Sequence, residues 1–162
     1  MSHEAPRVGI VLVSHSARLA EGAADLASQV SGGTVRVLAA GGTEDGELGT
    51  SAEKIARAVA GAEAGAGVLV LPDLGSAVLT VRAMLADMEG LAGMEGLAGM
   101  EGLADTGPAD AGSLADVPSA RVVLADAPFV EGAVAATVTA AAGADLRTVT
   151  AAAEEAWHAR KL

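Results

Sequence analysis

His15 stands between Ser14 and Ser16 at the end of an apolar run, "RVGIVLV", residues 7–13. An imidazole so placed can serve as a nucleophile, a general base or a metal ligand. Asp73 closes a second run, "GVLVLP", residues 67–72. A carboxylate bonded to one imidazole nitrogen fixes the tautomer and aims the other nitrogen outward. Gly41, Gly42 and Thr43 follow a third run, "TVRVLA", residues 34–39, and could bring backbone N–H donors to an anion. Gly75 and Ser76 come just after Asp73, and Glu131 lies in "DAPFVEG", residues 126–132, behind the fourth run "ARVVLA", residues 120–125. Ser14 and Ser16 add hydroxyls beside the imidazole.

The four runs are almost continuously hydrophobic, as strands covered on both faces are. Helical spacing lies between them. Leu19, Ala23, Leu26, Ala27 and Val30 share one helix face, and "TSAE", Thr50 to Glu53, reads as a capping box ahead of Ile55, Ala58, Val59 and Ala62. A third helix begins near Ser76 and carries Val78, Leu79, Val81 and Leu85. Two more are expected over 131–142 and 146–160, the second capped by Asp145, with Val149 and Trp157 either buried or forming an exposed apolar face for a dimer contact. Strand alternating with helix gives an α/β fold with parallel neighbours. In such a sheet ligands gather beyond the carboxyl ends of the strands, where all four polar clusters fall. A helix starting just after His15 disfavours imidazolium and suits an anion.

Residues 88–105 break the pattern with "MEGLAG", "MEGLAG", "MEGLAD". A six-residue period turns a helix by ~600°, so Leu91, Leu97 and Leu103 would point in different directions. With two glycines per unit and "TGPADAGS" following, residues 88–119 are expected to form a flexible insertion in one domain spanning 1–162.

About half the residues are hydrophobic, yet there is one Phe, one Trp and no Tyr, so the core relies on close packing of small aliphatic side chains. The net charge of −11 leaves no basic surface for nucleic acid. The absence of cysteine removes thiol catalysis and Cys-based zinc sites. The longest alanine-rich stretch, residues 133–144, falls short of the roughly 20 apolar residues needed to span a bilayer, and the N-terminus does not read as a secretory signal. A cytoplasmic protein without a membrane role is expected. His3 and His158 read as surface or interface residues.

"IVLVSHSARLAEG", "GGTEDGELGTS", "VLPDLGSAVLT" and "DAPFVEGAVAATVTAAAGAD" together resemble the DhaM family, the phosphotransferase subunits of phosphoenolpyruvate-dependent dihydroxyacetone kinases. Their domain is similar to the mannose-type IIA domain of the sugar phosphotransferase system. The resemblance covers most of residues 7–150 in order and fails across 88–119. It implies a three-layer, doubly wound, mostly parallel sheet of four to five strands. It also implies that His15 is a phosphorylated nucleophile with Asp73 as its imidazole partner, and that Thr43, Gly75 and Ser76 lie near the phosphate. Glu131 matches a family motif without an assigned role.

Phosphate would come from an HPr-type phosphocarrier and pass to ADP on a DhaL-type subunit, which serves a DhaK-type substrate subunit. The resemblance further implies a homodimer, a covalent phosphohistidine and no tightly bound cofactor, the ADP and magnesium residing on the partner. Because the chain ends at Leu162, its donor is expected to be a separate protein. Small apolar residues such as Ala17 and Leu74 are expected in the docking patch. Two other readings are a tetrapyrrole metal chelatase, which would need ligands beyond His3 and His158, and a noncatalytic anion-binding module.

Overall fold

The computed structural model describes residues 5–98 and 121–162. Four parallel strands, β1 (Gly9–Ser14), β2 (Val37–Gly41), β3 (Val68–Pro72) and β4 (Val122–Leu124), form a sheet in the order β2-β1-β3-β4. Ser14 pairs in register with Gly41, and Val13 with Pro72, so the carboxyl ends of the three longer strands lie level. The helices are α1 (Ala17–Val30), α2 (Ala52–Ala62), α3 (Gly75–Ala98), α4 (Phe129–Ala141) and α5 (Leu146–Glu155), with a short 3-10 turn at Ala156–His158.

All six residues of β1 are buried because both sheet faces are covered. Ile10, Leu12, Leu69 and Leu71 point into a core shared with α1, α4 and α5. Val11, Val13, Val68 and Val70 point the other way, into a core shared with α2 and α3. The period-two alternation of strand side chains thus produces the three layers expected of an α/β doubly wound fold. Each fully buried Val, Leu or Ile contributes about 1.5–3 kcal/mol, which anchors β1 and β3 and fixes where their polar ends emerge.

Several local expectations are corrected. On α1 the buried stripe is Ala20, Ala23, Ala24 and Ala27, while Leu19, Leu26 and Val30 are about half exposed. Small side chains let this helix lie close to the sheet, and the larger ones are turned outward. The cap of α2 is Ser51, whose hydroxyl accepts from the Lys54 N–H, so the box begins one residue later than the sequence suggests and Thr50 is released. Asp145 caps α5 as expected, accepting from the Thr148 N–H at 2.9 Å. That helix ends at Glu155 rather than 160, and Trp157 is 60% exposed rather than buried, although Val149 is fully buried.

The largest departure is α3, which continues to Ala98 through the first part of the segment expected to be flexible. Val81, Met84 and Met88, spaced i, i+3, i+7, pack into the core beneath the sheet, so the helix is already formed when it reaches the repeat. Extending an existing helix avoids the nucleation cost, and Ala, Leu, Met and Glu are strong helix formers that offset about 1 kcal/mol per glycine. The rest of the expected insertion, residues 99–119, lies outside the described residues.

Candidate functional site

The chain leaves β1 toward β2 on one side and leaves β3 toward β4 on the other, so the loops after β1 and β3 diverge. This is the switch point at which open parallel sheets form ligand crevices. His15 follows β1 and Asp73 follows β3, so the two face each other across that crevice.

Asp73 is the hub. Its backbone N–H donates to the Val13 carbonyl at 2.9 Å, which carries the β3–β1 pairing one residue past the strand. Its Oδ1 lies 3.0 Å from Nδ1 of His15. Its Oδ2 accepts from the Ser14 hydroxyl at 2.9 Å and from the His15 N–H at 3.0 Å. The Asp73 side chain is only 8% exposed against 26% for the imidazole. Burial works against its charge, but the His15 N–H, the Ser14 hydroxyl and the imidazole outweigh it and hold the carboxyl below its usual range.

An ionised carboxylate only accepts hydrogen bonds, so in the neutral imidazole Nδ1 carries the proton and Nε2 presents its lone pair. The Ser76 hydroxyl, in the first turn of α3, stands 2.8 Å from that nitrogen and donates to it in this tautomer. The imidazole is therefore held at both ends, with its basic nitrogen on the open side of the crevice.

Ser14 is fully buried, a position that costs free energy unless the hydroxyl is satisfied. Its hydrogen is committed to Asp73, and its oxygen accepts from the Ser16 N–H at 3.0 Å. Ser16 caps α1, accepting from the Leu19 N–H. The two serines thus shape the turn that presents the imidazole.

The glycine-rich loop after β2 is also structural. A side chain at Gly41 would meet the Ser16 carbonyl oxygen at 2.6 Å and the Ala17 Cα at 2.7 Å, so only glycine allows the loop to cross α1 this closely. Gly42 has φ +72 and donates its N–H to the Ser14 carbonyl. Thr43 donates its N–H to the Glu47 carbonyl, and its hydroxyl accepts from the Glu47 N–H. The backbone donors expected from Gly42 and Thr43 are therefore spent within the loop. Further on, the Gly49 N–H donates to the carbonyl of His15 at 2.9 Å, tying the loop to the histidine.

Gly75 opens α3 beside Ser76. Glu131 lies in the first turn of α4, where its carboxylate pairs with the Lys161 ammonium. That bond and the nearby positive charge hold Glu131 below its usual range, and no hydrogen bond connects it to the His15 cluster. Leu74 is 60% exposed next to Asp73, and Ala17 is half-buried.

Beside Asp73 and Gly75 a cleft of about 430 Å³ runs between the ends of β3 and β4, with Arg82, Phe129 and Trp157 among its walls. The indole N–H of Trp157 donates to the Asp126 carbonyl at 3.0 Å, which fixes the exposed ring at the cleft mouth. Among the described residues no three His, Cys, Asp or Glu side chains converge as metal ligands, and His158 sits in the last 3-10 turn.

A family model described as the PTS system fructose IIA component, EIIA-man, matches residues 9–101. The chain belongs to the EIIA-man family. The match contains the His15, Asp73 and Ser76 cluster and the glycine-rich loop. This EIIA-man chain is 34% identical over 145 residues to the PEP-dependent dihydroxyacetone kinase phosphoryl donor subunit DhaM of Escherichia coli (strain K12), which covers 88% of this chain and 25% of that one. It is 38% identical over 78 residues to a DhaM of Listeria innocua serovar 6a, 48% of this chain and 62% of that one. The chain thus spans about a quarter of the length of the Escherichia coli relative. The crystal structure of EF1359, a protein titled as of unknown function, superposes with a TM-score of 0.65 at 29% identity, covering 92% of this chain and 94% of that one. No helix among the described residues is long and apolar enough to cross a membrane.

Proposed function

We propose that this chain is a phosphoryl carrier of the DhaM type, in which Nε2 of His15 takes a phosphoryl group from an HPr-type phosphocarrier and passes it to ADP on a DhaL-type subunit. The DhaL-type subunit in turn serves a DhaK-type subunit that holds dihydroxyacetone. The observation that carries the reading is the Asp73–His15–Ser76 line, which leaves an unprotonated nitrogen at the crevice mouth.

In the uptake step the Nε2 lone pair forms a bond to phosphorus as the donor's N–P bond breaks, and the donor imidazole leaves with that electron pair. The proton on Nδ1 stays where it is, facing Asp73, and the carboxylate offsets the positive charge that develops on the ring. Transfer onward reverses the geometry: a terminal oxygen of ADP forms the new P–O bond and Nε2 recovers its lone pair. Displacement of this kind asks the protein for positioning and charge stabilisation rather than further covalent groups. The nucleotide and its magnesium are supplied by the partner.

Both exchanges require a protein partner to approach within bonding distance of the ring. The exposed Leu74 and the apolar walls of the cleft beside Asp73, among them Val78, Phe129 and Trp157, support such an approach on an otherwise acidic chain. The reading places the protein in the cytoplasm and includes a homodimer, as the family resemblance suggests.

The test is incubation with labelled phosphoenolpyruvate, enzyme I and an HPr-type carrier. Acid-labile phosphate is expected on the parent chain and absent from His15→Ala. Undiminished labelling of the variant, or none of the parent, refutes the reading.

A further inference from the structure

Thr50 and Thr80 form a hydroxyl pair outside the Asp73–His15–Ser76 relay. Their oxygens lie 2.9 Å apart, bridging the glycine-rich loop to α3. Thr50 follows Gly49, whose N–H holds the His15 carbonyl. Thr80 is one helical turn beyond Ser76, on the same face of α3, and Ser76 is the residue that touches Nε2. The bridge therefore ties the loop bonded to the His15 carbonyl to the helix whose Ser76 touches Nε2.

Its hydrogen bonding sets it apart. Helical threonines commonly bond back to the carbonyl four residues earlier, and Thr137, Thr139 and Thr150 do so. Thr80 instead turns to Thr50. When two hydroxyls bond to each other only one hydrogen is shared, and the other remains for an outside acceptor.

Phosphorylation creates such an acceptor. Once the Nε2 lone pair enters an N–P bond, the Ser76 hydroxyl loses its acceptor, and three terminal oxygens need donors. Apart from the first-turn N–H groups of α3, nearby backbone donors at Gly42, Thr43 and Gly49 are already bonded to carbonyls, and the hydrogen of Ser14 belongs to Asp73.

We infer that the Thr50–Thr80 pair, together with Ser76, supplies the hydroxyl donors that hold the phosphoryl group on Nε2 of His15. The inference rests on the phosphocarrier reading and adds two phosphate-binding residues to it. Because Thr50 belongs to the loop that is bonded to His15, the phosphoryl group also locks that loop against α3.

Phosphoramidate, a small phosphoryl donor that needs no partner protein, tests this directly. Thr50→Val and Thr80→Val keep the side-chain shape and remove the hydroxyl. Each is expected to lower the equilibrium phosphorylation of His15 about ten- to a hundredfold, the scale of one hydrogen bond to a charged group, and to move the phosphohistidine resonance in phosphorus NMR. Thr50→Ser and Thr80→Ser are expected to restore both. Val variants that match the parent in uptake and resonance while only their thermal midpoint moves overturn the inference, since that is the mark of a purely structural bridge. A Val variant that fails to fold leaves the decision to its Ser counterpart and the other position, where a resonance and uptake indifferent to the hydroxyl are again fatal. A parent chain that gives no phosphohistidine resonance fails the carrier reading itself, an outcome visible before any threonine is changed.

Discussion

Replacing Asp73 by Asn is nearly isosteric and removes one charge from a residue that holds three hydrogen bonds at 2.9–3.0 Å. The amide can keep an oxygen toward only one of the two groups of donors. If its NH2 faces the imidazole, two donors meet, and the ring must move its proton to Nε2 to accept from the amide. The nucleophilic lone pair then points at Asn instead of the crevice. If its NH2 faces the other way, the His15 N–H meets a donor and loses an acceptor, at a cost of about 1–3 kcal/mol. The Ser14 hydroxyl can rotate and accept, so that side is the cheaper to disturb only in part. Positioned proton-holding groups contribute about 10²–10⁴ in rate, and loss of the carboxylate that fixes an imidazole tautomer lies at the upper end of this range in a serine protease. Phosphoryl uptake by Asp73→Asn is therefore expected to slow by about 10²–10⁴ with the fold intact. Rapid-quench labelling from a phosphorylated HPr-type carrier measures the rate, and circular dichroism verifies folding. A folded variant labelled within about threefold of the parent, under 1 kcal/mol of barrier, refutes the role assigned to the carboxylate.

Two further outcomes follow from the geometry. Because Asp73 ionises below its usual value of 3.8 in the folded chain, its contribution to stability is complete above about pH 4 and is lost as pH falls through that lower folded value; denaturant midpoints of the parent should decline more steeply below pH 4 than those of Asp73→Asn. Gly41→Ala drives a methyl into the Ser16 carbonyl and α1 backbone, neither of which is a flexible side-chain end, so it should destabilise by about 1–3 kcal/mol and lower the thermal midpoint by several degrees in calorimetry.

His15 and Asp73 were legible in the sequence because each ends a continuous apolar run, and a parallel sheet brings such ends to one rim. The same logic placed Ser76 at a helix start. What spacing could not show was which face of α1 meets the sheet, because alanine and leucine both score as apolar and only close approach selects alanine. Thr50 was hidden for a related reason. "TSAE" fits a capping box, and the true cap lies one residue later, so the hydroxyl that looked occupied is free to reach Thr80. Likewise the glycines of the repeat argue against helix in isolation, yet the packed turns at Val81, Met84 and Met88 carry α3 through the first unit and into the second. Gly42 and Thr43 were assigned to the phosphate by their position, but their donors are consumed by loop closure, a fact that depends on partners distant in sequence.

Trp157 is the sole tryptophan of a chain with no tyrosine, and its ring is pinned by Asp126 at the cleft next to Asp73. The indole emission of this protein therefore originates from a single point on the rim, held by the hydrogen bond to the Asp126 carbonyl. A partner settling over His15 from that side changes the water around one chromophore and no other. On the phosphocarrier reading, docking of a partner that lacks tryptophan is then followed through this one indole, with no label to attach.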